Sequence, residues 1–291
     1  DIACTEFPET LDARRSLMFR NPMLSYGTTH TMATGIQLIQ PGELAWPHRH
    51  SASAMRFVIE GDPDLSTVVN GVPYPMEEHD LILTPNWCWH AHQNQSAKNV
   101  TWLDILDVTL SIALNQSFYE QGPEGYVEVG GGIRFNDPDS LARAAGDGGG
   151  SEDVLPIPLR YGWADMEAKL RDMDKGDADP CDGATVHYTD PRTGGSTVLT
   201  MDCNAHMLRP GEETQHHRHT SSTLCFVVKG EGKTVVGDTE LEWSEHDTFC
   251  IPNWAWHHHI NAQPNDETFL FSISDSPVLK PLGYYREQMA D

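Results

Sequence analysis

The chain has 291 residues and a mass of 32.4 kDa, enough for two domains of ordinary size, and its 38% hydrophobic content supports packed cores. Against 19 Lys and Arg stand 43 Asp and Glu, a formal net charge of -24, which argues against nucleic acid or an anionic membrane as partner. An anionic small molecule would enter against that field, so its site needs a local positive group. No run of 18 apolar residues predicts a membrane span, no signal peptide is visible, and the cytoplasm is the expected compartment. The cysteines at 4, 88, 181, 203, 225 and 250 form no C-x-x-C pair. Cys88, Cys225 and Cys250 sit in strand-like runs and read as reduced thiols.

In chain order, residues 1–24 are expected to be partly helical, with Leu11, Met18 and Phe19 as packing positions and Arg14 and Arg15 as rare positive charges. A strand pattern begins at Thr34. The stretch from Arg56 to Pro85 reads as strand, turn, strand, hairpin, strand, with Asn70-Gly71 as a two-residue hairpin turn. Residues 99–114 alternate loosely and are expected to close the first sheet. Residues 115–180 are Gly-rich and irregular, an expected linker or lid, except for one helix over 161–174 with Trp163, Met166, Leu170 and Met173 at near-helical spacing. From Cys181 the strand pattern returns, with a second turn at Gly237-Asp238. The predicted organisation is a first domain over 1–114, the linker segment over 115–180 and a second domain over 181–291.

The chemistry concentrates in Pro41–Gly61, PGELAWPHRHSASAMRFVIEG, where His48 and His50 stand at i and i+2 and therefore share a strand face. Residues 79–94, HDLILTPNWCWHAHQN, add His90 and His92. Both segments recur at a period of about 170 residues, too long for a solenoid and right for two domains of one fold. PGEETQHHRHTSSTLCFVVKG covers 210–230, and HDTFCIPNWAWHHHIN covers 246–261 without a gap against the first copy. His217, His219, His257 and His259 thus correspond to His48, His50, His90 and His92. Three neutral imidazoles with open positions suit Fe(II), Mn(II), Ni(II) or Zn(II). By alternation His90 and His92 share a face, so parity does not choose the ligand. Pro85 and Pro252 mark strand ends before the third histidine, and Asn94 and Asn261 are expected turn stabilisers. The alternating Trp87 and Trp89 either pack or line a pocket for a planar ligand.

Arg56 interrupts the apolar run MRFVI and is the positive group that the charge balance demands. It pairs either with Glu60 or Asp104 or with a substrate carboxylate. The second copy has Cys225 in its place. Gln37 and Asp104 also interrupt apolar runs and are candidate lining residues. Whichever of His90 and His92 is left free of the metal would bind substrate or move a proton, with Asp104 as a candidate to orient it.

These motifs resemble the cupin superfamily of small β-barrels, with Gly42…His48-Arg49-His50…Gly61 and Pro85…His90…Asn94 matching its two signatures and the usual ligating glutamate absent from both copies. HRHSxSAxRFVIEG and TPNWxWHxHxN are similar to the gentisate 1,2-dioxygenase group of bicupins, which includes salicylate and 1-hydroxy-2-naphthoate dioxygenases. The resemblance implies an all-β bicupin of two double-stranded β-helix (jelly-roll) barrels with a few short helices. It also implies Fe(II) on His48, His50 and His90, with His217, His219 and His257 as a second ligand set. It further implies substrate contacts from Arg56, Gln37, His92, Asp104, Trp89 and either Arg14 or Arg15. The expected reaction opens gentisate (2,5-dihydroxybenzoate) with O2 to maleylpyruvate. Salicylate or 1-hydroxy-2-naphthoate cleavage is the alternative, and a metal-binding bicupin without oxygenase activity is the reading from another class. The expected partners are a small aromatic carboxylate, O2 and further copies of the chain in a dimer or tetramer.

Overall fold

The computed structural model describes residues 13–122, 158–173 and 175–290. It divides into two compact units, Asp1–Gly162 and Trp163–Asp291. The expectations placed on Leu11 and on the Gly-rich stretch 123–157 lie outside the described residues.

The first unit carries β1 (Arg15–Phe19), β2 (Ala33–Ile39), β3 (Leu44–His50), β4 (Ala54–Glu60), β5 (Asp62–Val69), β6 (Val72–Met76), β7 (Leu81–Thr84), β8 (His90–Asn94), β9 (Val100–Leu106), β10 (Tyr119–Gln121) and β11 (Arg160–Tyr161). They form a six-stranded sheet in the order β1-β2-β9-β4-β7-β11 and a five-stranded sheet in the order β10-β3-β8-β5-β6. Consecutive strands mostly alternate between the sheets, which is the cupin connection pattern.

The expected closed barrels are corrected: among the described residues no sheet closes on itself. Each sheet is open, with β1 and β11 or β10 and β6 as free edges. The edge sequences explain why pairing stops. β6 carries Pro73 and Pro75, which have no N–H to donate, and β11 has only two residues.

Two further expectations are corrected. The segment around Arg15 is strand β1, paired in antiparallel register with β2, because a neighbouring strand edge overrides a weak helical pattern. The run expected as one strand over 99–114 breaks at Asp107: β9 ends at Leu106, and α1 (Val108–Ala113) follows. The Asn70-Gly71 turn is as expected. It joins Val69 to Val72 with φ of 48° and 81°, both in the left-handed region that a two-residue hairpin requires.

The core of this unit lies between its sheets. Ile39, Val58, Ile82, Val100 and Trp102 from one meet Ala45, Leu65 and Met76 from the other. Strand periodicity then continues the same inner face into polar residues: Gln37 two positions from Ile39, Arg56 from Val58, Thr84 from Ile82 and Asp104 from Trp102. One face thus passes from an oil-like core to a charged chamber within one pleat. Asn94 holds the loop beyond β8 in place, donating from Nδ2 to the carbonyls of Ile39 and Lys98 at 3.1 and 2.9 Å.

The second unit opens with α2 (Trp163–Asp172), which lies within the expected helix and buries Trp163, Met166 and Leu170. Its strands are β12 (Ala184–His187), β13 (Asp202–Leu208), β14 (His217–His219), β15 (Thr223–Lys229), β16 (Glu231–Val236), β17 (Thr239–Ser244), β18 (Thr248–Ile251), β19 (His257–Asn261), β20 (Thr268–Ser274) and β21 (Glu287–Met289), with α3 (Ser276–Leu279) before the last. They form open sheets in the orders β12-β13-β20-β15-β18 and β17-β16-β19-β14-β21. The layout of the first unit is repeated, with Leu208, Val227, Trp243 and Leu270 as its core cluster. Among the described residues the cysteines at 88, 181, 203, 225 and 250 are free thiols; Cys88 lies in the turn before β8 rather than in a strand.

Candidate active site

His48 and His50 come from the end of β3, and His90 starts β8 directly across from His48. A register shift between Ala45 and His48 resets the alternation of β3 just before the pair. The ligand atoms of the three imidazoles lie within 4.8 Å of one another. Their Nδ1 atoms are each turned to a backbone carbonyl: His48 to Trp46 at 3.2 Å, His50 to Ala52 at 2.7 Å and His90 to Cys88 at 2.9 Å. That pattern suits the Nδ1–H tautomer, in which each Nε2 lone pair is left for a common guest.

His90 Nε2 is buried without a hydrogen-bond partner. An orphaned buried acceptor facing two more imidazoles fits a bound divalent metal. Protonation is suppressed as ligation requires. Burial first, then the Arg14 charge, pushes His48 down to about 2; burial pushes His50 down to about 4 and His90 well below the usual range. His48, His50 and His90 are therefore the residues that would hold a divalent metal.

Opposite the triad, β4 presents Arg56, which is 2% exposed. Its Nε lies 3.3 Å from Asp104 Oδ1 on the paired strand β9, and its Nη1 donates to Thr84 Oγ1 at 2.5 Å. Of the partners left open by the sequence, Asp104 is the one it meets. The pair fixes the plane of the guanidinium. Burial pulls the Arg56 pKa down and pushes that of Asp104 up, each opposed by its partner. The Arg56 charge depresses His48, His50, His90 and His92 alike, which marks it as a neighbour of the whole cluster.

The two N-terminal arginines separate cleanly. Arg14 Nη2 lies 2.6 Å from His48 Nδ1 and donates to the Trp46 carbonyl at 2.6 Å, while its Nη1 donates to Tyr119 Oη at 3.2 Å. A guanidinium only donates, so the His48 contact and the His48–Trp46 contact need opposite tautomers. Metal ligation through Nε2 selects the Trp46 bond and leaves Arg14 on the carbonyl and the phenol. Arg15 instead makes a bidentate pair with Glu43 at 2.6 and 2.8 Å, away from the triad.

His92 is 1% exposed, and its ring centroid is 6.0 Å from that of His90. Its Nδ1 pairs with Thr67 Oγ1 at 2.9 Å, on the strand position directly opposite. The expected orientation by Asp104 is therefore corrected: Thr67 holds this ring, because cross-strand neighbours are nearer than residues on the facing sheet. Gln37 is 4% exposed on the inner face of β2, and its Nε2 has no hydrogen-bond partner. Trp89 sits at the rim rather than in the chamber. The Arg49 guanidinium lies 4.5 Å from the Trp87 ring centre and 4.8 Å from that of Trp89, and it pairs with Glu120 at 2.7 Å.

Thr67, Thr84, Tyr119 and the Arg49 clamp were not singled out from the sequence. Two of them carry a signal in the duplication. Thr67 recurs as Thr234, whose Oγ1 meets His259 Nδ1 at 2.8 Å, and Arg49 recurs as Arg218 between Trp254 and Trp256. In the second unit His217, His219 and His257 again bring their ligand atoms within 4.8 Å.

Known proteins share this architecture. The cupin domain family (Cupin_2) matches residues 35–106 and 205–273, one stretch in each unit. A 5-aminosalicylate 1,2-dioxygenase of Comamonas sp is 42% identical over 97% of this chain and 75% of its own length. A gentisate 1,2-dioxygenase of Haloferax sp is 38% identical over 89% of this chain and 75% of its own. The crystal structure of a salicylate 1,2-dioxygenase from Pseudaminobacter salicylatoxidans superposes with a TM-score of 0.82 at 31% identity, covering 98% of this chain and 83% of that one. With the family model matched in both units and relatives at this identity aligned over most of the chain, the chain belongs to the gentisate and salicylate 1,2-dioxygenase family of bicupins.

Proposed function

We propose that the protein is an Fe(II)-dependent ring-cleaving dioxygenase of the salicylate type, acting on an aromatic acid with a hydroxyl group ortho to its carboxylate. One observation carries the reading: three neutral imidazoles converge on one point opposite the buried Arg56, with Arg14 against the Nδ1 side of His48, in a chain of net charge -24. Two guanidiniums beside a metal site answer one carboxylate.

Bound iron would supply Lewis acidity and the electrons that let ring and O2 react. The chain supplies the rest. Arg56, held by Asp104 and Thr84, receives the substrate carboxylate, and Arg14, against His48, adds a second positive charge beside the site. Both lower the cost of bringing an anion into an acidic protein. His92, set through Nδ1 by Thr67, keeps Nε2 to accept the proton of the ortho hydroxyl. Neutral at rest, it is competent as a base. Gln37 offers an unspent amide for a ring substituent. Trp102 and the core behind it exclude water. Both atoms of O2 enter the product as the bond between the carboxyl-bearing and hydroxyl-bearing carbons breaks.

The comparisons support a salicylate-type substrate ahead of gentisate, since relatives named for 5-aminosalicylate and for 1-hydroxy-2-naphthoate align over 97% and 95% of the chain. Gentisate remains the second reading, because the solved salicylate 1,2-dioxygenase also forms adducts with it. Oxygen uptake by the Fe(II)-loaded protein, with 5-aminosalicylate, salicylate, 1-hydroxy-2-naphthoate and gentisate in parallel, tests this. Faster turnover of a salicylate-type acid is expected. Turnover of gentisate alone restores the second reading, and uptake with none of the acids overturns both.

A further inference from the structure

The second unit repeats the ligand triad but inverts the charges around it. Strand register gives the correspondence without ambiguity. Arg56 faces Asp104 across β4 and β9; across β15 and β20 the same places hold Cys225 and Ser272. Gln37 stands two places along β2 from the partner of Asp104, and His206 stands two places along β13 from the partner of Ser272. By the same register the place of Arg14 falls on Gly183, and the neighbouring Asp182 has its Oδ1 4.0 Å from His259 Nε2. The clamp for a carboxylate is thus removed, and a carboxylate of the protein's own stands at the entrance.

The pocket is nonetheless built. A cavity of about 260 Å³ is lined by the triad together with Asp179, Asp182, Asp202, Glu287 and a single lysine, Lys280. His219 Nδ1 is engaged by the Ser221 carbonyl at 2.9 Å and His257 Nδ1 by that of Ala255 at 3.0 Å, so their Nε2 atoms are presented as in the first unit. His206 is held on both nitrogens, by Ser272 Oγ at 2.6 Å and Thr185 Oγ1 at 3.0 Å. Hydroxyls from Ser221, Thr223, Ser272 and Tyr285 complete a wall suited to other hydroxyls.

We propose that this pocket is a second mononuclear metal site of opposite selectivity. It binds a divalent transition metal on His217, His219 and His257, takes a neutral hydroxyl-bearing ligand whose proton Asp182 accepts, and excludes the aromatic carboxylates that the first pocket admits. A carboxylate there meets like charge without a guanidinium.

Co(II) is the probe, read by metal analysis and by its visible spectrum. Wild-type protein is expected to bind about two Co(II) per chain, and the His48→Ala/His90→Ala and His217→Ala/His257→Ala variants about one each. Far-UV circular dichroism selects folded variants, and His→Gln pairs replace any that fail. In the protein loaded only at the second site, catechol is expected to shift the cobalt spectrum. Salicylate is expected to leave it unchanged at concentrations that saturate the response of the protein loaded only at the first. One Co(II) per chain in wild type, an equal response to salicylate at the second site, or silence towards catechol overturns the proposal. A first-site protein that binds Co(II) yet ignores salicylate would instead defeat the carboxylate clamp of the proposed function and leave the second site standing.

Discussion

Arg14 and Arg15 are adjacent and identical in type, yet the structure gives them different work. Arg14 lies on the triad side, bonded to Trp46 and Tyr119, whereas Arg15 is spent on Glu43. Arg14→Ala should therefore raise KM for the aromatic acid by about 10- to 100-fold, the worth of one charge-assisted hydrogen bond, with the fold intact. Arg15→Ala should leave KM near wild type and cost about 3 kcal/mol of stability, because it strands a partly buried carboxylate. Steady-state kinetics and urea unfolding of the two variants decide it; the reverse pattern would return the assignment to Arg15. Arg56 combines both roles. Arg56→Met should abolish measurable saturation and also destabilise, since Asp104 is left without its cation; adding Asp104→Asn should restore stability but not binding.

At the scale of the element, strand pairing places each group that acts. His92 is aimed by Thr67 on β5, its cross-strand neighbour. Thr67→Val keeps the shape and removes the bond, so kcat should fall about tenfold while KM moves little and the pH profile shifts; an unchanged profile would mean that the ring is held by packing alone. β2 and β1 pack tightly at Gly35, where an added Cβ would stand 2.5 Å from the Leu17 carbonyl oxygen. Backbone must then move, so Gly35→Ala should loosen β1 and carry Arg14 with it, raising KM from a distance. The same pairing explains what could be read from the chain. The duplicated H-x-H and Pro-to-His runs pointed to His48, His50 and the two units because ligation and strand ends are local, whereas His90 was separated from His92 only by the family resemblance. Arg56 was visible as a charge in an apolar run. Its partner was not, since Glu60 and Asp104 are separated only by register. The choice between Arg14 and Arg15, the strand at β1 and the open edges of the sheets depend on which strands meet, and no window of sequence contains both sides of such a contact.

Taken whole, the molecule buries imidazoles that an unfolded chain would protonate. His48 is held down to about 2 and His50 to about 4 by burial and by Arg14 and Arg56, with His90 and His92 also well below 6.5. A group whose folded pKa is depressed contributes stability above its unfolded pKa and loses it as pH falls towards the folded one. Metal-free protein should therefore lose stability from about pH 6.5 downwards, each such imidazole adding up to about 1.4 kcal/mol per pH unit. Metal affinity should behave differently. In a flexible peptide three histidines of ordinary pKa would bind about fiftyfold more weakly at pH 6 than at pH 7.5, because protons must leave first. In the folded protein they have already left, so the first site's Kd should change by less than about threefold over that range. Thermal unfolding of the metal-free protein and Co(II) titration of the first site, run on the same samples at each pH, separate the two effects. A fiftyfold loss of affinity with no loss of stability would mean that the triad is not pre-emptied of protons by its burial. The expected pattern, a falling Tm beside a nearly constant Kd, would show that folding rather than the metal bears the cost of gathering neutral imidazoles in one chamber.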